Sequence, residues 1–266
     1  MTSDLPARPP LDVPRLTAAA AVEVVAATPS TNALAVARAR EGAAEGLVVV
    51  TEHQTAGRGR LDRTWETPER AALTFSVLLR PEVPAARWPW LPLLTGYVVG
   101  EVLREHGADA GVKWPNDVLV GPLKLVGILV ERVDSPSGPA AVVGIGINVT
   151  TTRAELPVET ATSLALEGVD VDRSDLLLAL VARLLGEYAA WQRDPGTTLR
   201  AAYEQACVTI GREVRVELPT GAPLTGTATG IDAGGRLLVR GPDGETAVGA
   251  GDVVHVRAVG GGSSGG

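Results

Sequence analysis

"GVKWPNDVLVGPLKLVGILVERVDSPSGPAAVVGIGINV", residues 111–149, decides how this chain folds. Apolar, β-branched runs alternate with turn-forming breaks at Gly121-Pro122 and at Ser135–Pro139. The stretch reads as a meander of three strands, "GVKWPNDVLV", "KLVGILVERV" and "AAVVGIGINV". Glycines inside two of these strands (Gly127, Gly144, Gly146) mark places where a ligand or another backbone comes close.

Outward from the meander, "GLVVVTE" (46–52) is a continuous β-branched run, as for a strand buried on both faces, and "AALTFSVLLR" (71–80) is another strand, ended by Pro81. Residues 87–106 carry a long apolar helical pattern. "STNALAVARAREG" predicts a helix capped by Ser30 or Thr31 and stopped at Gly42. "RLTAAAAVEVVAAT" is ambiguous between helix and strand, and residues 1–15, with prolines at 6, 9, 10 and 14, read as an arm without a regular element. Helices are predicted over Ser174–Gln192, with Ser174 or Asp172 as cap, and over Thr198–Cys207. After Gly211 come short strands broken by Gly, Pro and Asp every few residues, the pattern of a small all-β barrel of about fifty residues, SH3-like in size.

A chain of 266 residues with 45% hydrophobic and 21% charged residues fits one large domain, or a medium and a small one. Its net charge of −7 argues against generic binding to nucleic acid or membrane phosphates. The single cysteine, Cys207, rules out an intramolecular disulfide and reads as a buried structural thiol; His53, His106 and His255 have no metal-ligand spacing. With no signal-like opening and no run of ~18 apolar residues, the expected location is cytoplasmic.

Against this acidic background, "EHQTAGRGRLDRTWETPER" (52–70) concentrates Arg58, Arg60, Arg63 and Arg70. Guanidinium forks match phosphate and carboxylate oxygens, and Gly57 and Gly59 let the backbone approach a ligand. The loop reads as flexible, without apolar anchors, with Trp65 its one residue suited to stacking on a base or covering a ligand. The competing reading is a solvated charged loop balanced by Asp62, Glu66 and Glu69. "KWPND" offers Lys113 to phosphates and Asn116-Asp117 either to Mg²⁺ or to a simple Asx turn. Lys124 opens an apolar strand, either toward a ligand or as a snorkelling surface residue. Asn148 follows strand glycines that serve packing equally well.

Taken together and in order, "STN" at 30–32, Glu52–Trp65, Lys113–Leu119, Lys124–Glu131 and Gly144–Val149 resemble the biotin–protein ligases over about residues 30–257, the GRGR loop being the most distinctive feature. The resemblance implies an α/β (α+β) fold: a mixed, largely antiparallel central sheet with helices, then an SH3-like β-barrel module. It also implies an N-terminal arm (1–20), a catalytic ligase domain (21–210), an SH3-like domain (211–257) and a flexible tail (258–266). ATP and biotin would condense to biotinyl-5′-AMP with release of pyrophosphate, and the biotinyl group would pass to a lysine of a biotin carboxyl carrier protein or domain.

Carried over residue by residue, Ser30, Thr31 and Asn32 would bond the biotin ureido group with Gln54 nearby. Gly57, Arg58 and Arg60 would wrap the carboxylate and the reacting phosphate, Lys124 would sit against both, and Gly127 would let the ligand lie on its strand. Arg60, Arg63, Trp65, Lys113, Asn116, Asp117 and Asn148 would serve ATP, with Asp117 a Mg²⁺ contact; Arg58, Arg60 and Lys124 would be catalytic. Leu61-Asp62 departs from the basic residue and glycine that relatives often carry, which puts adenylate retention in question. Only about 29 residues precede "STN", so a monofunctional ligase without repressor activity is expected. The expected partners are the carrier, biotin and ATP, with no nucleic acid or membrane. The chain would be a monomer or a weak homodimer, with "AAVVGIGINV" able to supply a pairing edge. Lipoate or octanoate transfer, and a non-catalytic biotin- or nucleotide-binding module, are the alternatives.

Overall fold

Nearly every residue of 139–149 is buried, because this strand runs through the middle of a seven-stranded sheet. The computed structural model describes residues 8–60, 64–194, 198–218 and 220–255. In chain order the elements of the larger unit are α1 (Val13–Ala19), β1 (Val22–Thr28), α2 (Thr31–Arg40), β2 (Val48–Gln54), the short β3 (Gly57–Arg58) and β4 (Thr64–Trp65), β5 (Ala72–Leu79), α3 (Trp90–Glu105), β6 (Ala110–Lys113), β7 (Asp117–Val120), β8 (Leu123–Ser135), β9 (Gly138–Asn148), α4 (Arg173–Arg193) and α5 (Thr198–Ala206). The sheet order is β1-β2-β5-β9-β8-β7-β6. Only β1 and β2 pair in parallel; every other neighbour is antiparallel. The mixed, largely antiparallel sheet and the meander are therefore as expected.

Four details differ. "GVKWPNDVLV" is two strands, β6 and β7, because Pro115 has no N–H to donate to a ladder and the chain turns at Trp114–Asn116. "AAVVGIGINV" supplies no edge: β9 lies between β5 and β8, and the sheet ends at β1 and β6. The amino-terminal segment does hold a regular element. Asp12 caps α1 by accepting from the Arg15 N–H, with Pro14 tolerated in the first turn, and Leu11 and Leu16 are buried. The ambiguous "RLTAAAAVEVVAAT" accordingly divides into α1 and β1.

The fourth difference is the carboxy-terminal module. It contains β10 (Glu213–Glu217), β11 (Leu224–Ile231), β12 (Leu237–Gly241), β13 (Gly244–Val248) and β14 (Asp252–His255), in the order β13-β12-β11-β10-β14. Among the described residues β13 and β14 do not pair, so this is an open antiparallel sheet and not a closed barrel. It docks on the larger unit through two tryptophans: Trp90 Nε1 donates to the Ala233 carbonyl (2.9 Å) and Trp114 Nε1 to the Gly235 carbonyl (3.0 Å). Val214, Val216, Ile231 and Val239 share one apolar cluster with α3 and the central sheet. The tail 258–266 lies outside the described residues.

Candidate active site

A cavity of about 670 Å³ opens over the sheet face where β9 and β8 carry glycine, and it gathers most of the sequence-predicted residues. At one end Ser30, the N-cap of α2, accepts the Ala33 N–H with its Oγ (3.3 Å), leaving Thr31 as the first helical residue. The Thr31 N–H donates to Gln54 Oε1 (3.0 Å), which ties the start of α2 to the end of β2. Asn32 is held on several sides. Its Nδ2 donates to Glu131 Oε2 (2.7 Å) and to the Leu129 carbonyl (3.3 Å), and its Oδ1 lies 2.6 Å from Ser76 Oγ. A Cβ on Gly144 would stand 2.1 Å from Asn32 Oδ1, so the strand must be glycine where the carboxamide rests.

The arginine loop is better anchored than its composition predicts. Its ends form the β3–β4 ribbon, Gly57 opposite Trp65 and Arg58 opposite Thr64. The Trp65 ring lies across the meander's glycines: Cβ atoms added to Gly146 and Gly127 would come within 2.5 Å and 2.9 Å of it. A Cβ on Gly57 would stand 2.1 Å from Gln54 Nε2 and 2.2 Å from the Trp65 carbonyl oxygen, so the loop can leave β2 only through glycine. Trp65 Nε1 is buried without a hydrogen-bond partner, an orphan donor that a ligand acceptor would satisfy. Arg58 and Arg60 line the cavity, and Arg60 donates to Asn116 Oδ1 (3.2 Å). Arg63 lies outside the described residues. Arg70 stands apart from the cavity at the loop's exit, with φ of 58°, its N–H bonded to the Glu52 carbonyl (2.8 Å).

The far wall is built on β7 and β8. Asn116 donates to the Ile128 carbonyl (2.7 Å), so it bridges the arginine loop to β8. Lys124 Nζ pairs with Asp117 Oδ1 at 2.6 Å, a charge contact without the directed geometry of a hydrogen bond, and lies 5.7 Å from the Trp65 ring centre. Asn148 is buried and donates to the Thr162 carbonyl (2.8 Å), while residues 157–161 close that side. Lys113 is not brought to this cavity; it lines a neighbouring cleft of about 1350 Å³ between β6, α5 and β14, which meets the first at Asp117 and Lys124.

Of the carboxylates that line this cavity, Glu66, Asp117 and Asp252, Asp117 is the expected Mg²⁺ contact and already stands beside Lys124, and no group of three His, Cys, Asp or Glu stands together among the described residues. That donor fits an ion carried chiefly by phosphate oxygens and water, not one caged by the protein. Cys207 is buried, and burial pushes its thiol pKa up, which suits a structural role.

Ser76, Glu131 and Glu52 were not singled out in the sequence. Ser76 was findable as one of two hydroxyls, with Thr74, in an otherwise apolar run, "LTFSVLL". Glu52 was not, because its partner Arg173 (2.7 Å) lies far along the chain, at the start of α4.

The model of the Biotin/lipoate A/B protein ligase family matches residues 24–148, and that of the Biotin protein ligase C terminal domain matches residues 209–256. The chain is similar to the biotin--[acetyl-CoA-carboxylase] ligase of Mycobacterium tuberculosis, 40% identical over 89% of each chain. It is 31% identical to the enzyme of that name from Paracoccus denitrificans, over 86% of this chain and 98% of the relative. Among solved structures, the biotin protein ligase from Aquifex aeolicus in complex with biotin and ATP superposes with a TM-score of 0.74 at 28% identity, covering 89% of this chain and 99% of that one. With both domain models in register and a relative this similar over nearly its whole length, the chain belongs to the biotin protein ligase family.

Proposed function

We propose that this protein activates biotin with ATP in the cavity over the glycine-floored strands and then transfers it to a lysine of a biotin carboxyl carrier domain. The observation that carries this reading is the convergence of Arg58, Arg60 and Lys124 on one cavity whose opposite end is a set of polar side chains at the start of α2. One end recognises a neutral polar head; the other is cationic and suits a carboxylate beside a triphosphate.

In the first half-reaction a biotin carboxylate oxygen attacks the α-phosphorus, and the bond from that phosphorus to the bridging oxygen of pyrophosphate breaks. Negative charge grows on the phosphoryl oxygens and on the departing pyrophosphate. Arg58, Arg60 and Lys124 are fixed cations for that charge, and no nucleophilic side chain is needed because the substrate supplies the nucleophile. Asp117 would hold Mg²⁺ together with the phosphates, and the ion would neutralise triphosphate charge. Trp65 covers the strand glycines and would shield the labile anhydride from water. In the second half-reaction the carrier's lysine amine attacks the acyl carbon, the bond to AMP breaks, and the amine sheds a proton.

The test is ATP–pyrophosphate exchange with Mg²⁺, adding biotin, lipoate or octanoate separately. Exchange with biotin alone is expected, whereas exchange with lipoate instead would move the chain to the other branch of its family. Arg60→Ala and Lys124→Ala are each expected to lower the exchange rate about a hundredfold while circular dichroism and melting stay unchanged. Near-wild-type exchange in either variant would remove that residue from the catalytic set.

A further inference from the structure

The hydrogen bonds behind the start of α2 can each run in only one direction. Both partners of Asn32 Nδ2, the Glu131 carboxylate and the Leu129 carbonyl, accept only, so the carboxamide is fixed with Oδ1 toward Ser76. Oδ1 carries no hydrogen, so the proton in its 2.6 Å contact belongs to the Ser76 hydroxyl. Ser76 has no second proton. Its 2.8 Å contact with Thr31 Oγ1 is therefore filled by the Thr31 proton, and Gln54 Oε1, which already accepts the Thr31 N–H, is farther from that hydroxyl at 3.4 Å. Thr31 thus gives its proton to Ser76 and turns lone pairs to the cavity. Ser30 is the opposite case: its Oγ accepts the Ala33 N–H and keeps its own proton for a ligand. Successive residues thus offer a donor and an acceptor, which complement the C=O and N–H on one edge of a cyclic urea.

We propose that Ser76 and Glu131, neither of which lines the cavity, are positioning residues in one relay, Glu131 to Asn32 to Ser76 to Thr31, that holds Thr31 as a hydrogen-bond acceptor and so selects an acid whose head carries an N–H. Asn32 is then a relay within the wall and not a contact of the ligand head, which differs from the role the family resemblance implies. The proposal rests on the biotin reading of the cavity. Ser76 is fully buried beneath Thr31, so its effect reaches the ligand only through that relay.

The experiment measures biotin affinity by calorimetry without ATP, and KM and kcat in pyrophosphate exchange. Ser76→Ala is expected to weaken biotin binding about tenfold or more and to raise the biotin KM in step, with kcat at saturating biotin and the ATP KM within about twofold of wild type. Asn32→Asp sets two carboxylates together and is expected to weaken biotin binding by more than tenfold. Adding Glu131→Gln to it is expected to restore most of the affinity, because the amide introduced at 131 donates to the carboxylate introduced at 32. Unchanged biotin affinity in Ser76→Ala, or a double variant as weak as Asn32→Asp alone, overturns the relay; the double variant decides if Ser76→Ala does not fold. A wild-type chain that binds no biotin overturns the biotin reading and the relay with it, whereas the first two outcomes leave that reading standing.

Discussion

Trp65 combines two properties that seldom meet in one side chain. Its ring rests against backbone that only glycine permits, and its indole N–H is buried without a partner. An unpaired buried donor costs about 1–3 kcal/mol, which a ligand acceptor would return on binding. Gly146→Ala tests the ring's seat: the added Cβ would lie 2.5 Å from Trp65 Nε1, so the ring must lift. The expected outcome is an ATP KM raised about tenfold in pyrophosphate exchange with a melting temperature within a few degrees of wild type. An unchanged ATP KM would mean that the ring's position over β9 does not matter to nucleotide binding.

At the scale of elements, the segment ahead of β1 fastens both walls of the site. The Leu11 N–H donates to Glu52 Oε1 (2.6 Å), and Arg173 donates to the other Glu52 oxygen and to the Pro9 carbonyl (both 2.7 Å). The Glu52 carbonyl accepts the Arg70 N–H, so this one residue stands at the entry and exit of the arginine loop. Arg8 reaches the other wall, donating to the Thr150 carbonyl (3.2 Å) and to Glu155 (2.6 Å) just before residues 157–161. Breaking the nearly buried Arg173–Glu52 pair from one side leaves an uncompensated charge, at a cost of about 3–5 kcal/mol. Glu52→Ala is therefore expected to lower stability by about that amount and to raise KM for both substrates, read by denaturant melts and exchange kinetics. A loss under 1 kcal/mol would show that the arm and α4 do not brace the loop.

Over the whole molecule, two groups predict how stability follows pH. The hydrogen bond from Arg8 holds Glu155 down at about 2 against an ordinary 4.5. Burial first, then the charges of Lys113 and Arg212, lower His255 to about 4 against an ordinary 6.5. For both, the unfolded chain binds the proton at a higher pH than the folded one, so stability falls on acidification. The His255 contribution is lost as pH drops from about 6.5 to 4, and the Glu155 contribution as it drops from about 4.5 to 2. His255→Gln is expected to flatten the upper limb of a melting-temperature profile and leave the lower one; an unchanged upper limb would remove His255 as its cause.

The same distinction between local and distant contacts sets what was legible in the sequence. The meander, α2 with its Ser30 cap, α4 with its Asp172 cap and the arginine loop are written in local patterns of period, turn and charge. The splitting of β6 from β7, the interior place of β9 and the open order of the last sheet depend on which strands meet, which no local pattern states. Among the residues that line the cavity, Thr74, Thr160 and Asp252 gave no sequence signal, whereas Ser30, Thr31, Arg58, Arg60, Asp117 and Lys124 were legible through their chemistry. Ser76, Glu131 and Glu52 act on those residues from behind, and only tertiary contact reveals them.

The fastening of residues 8–12 also has a mechanical side. A load on Arg8 would pull on Glu155 and on Glu52 near the end of β2, at both walls of the cavity, before it reached β1 along the chain. A pull on residues 8–12 is therefore borne first by hydrogen bonds at the two walls of the cavity and only afterwards by the backbone that leads into β1.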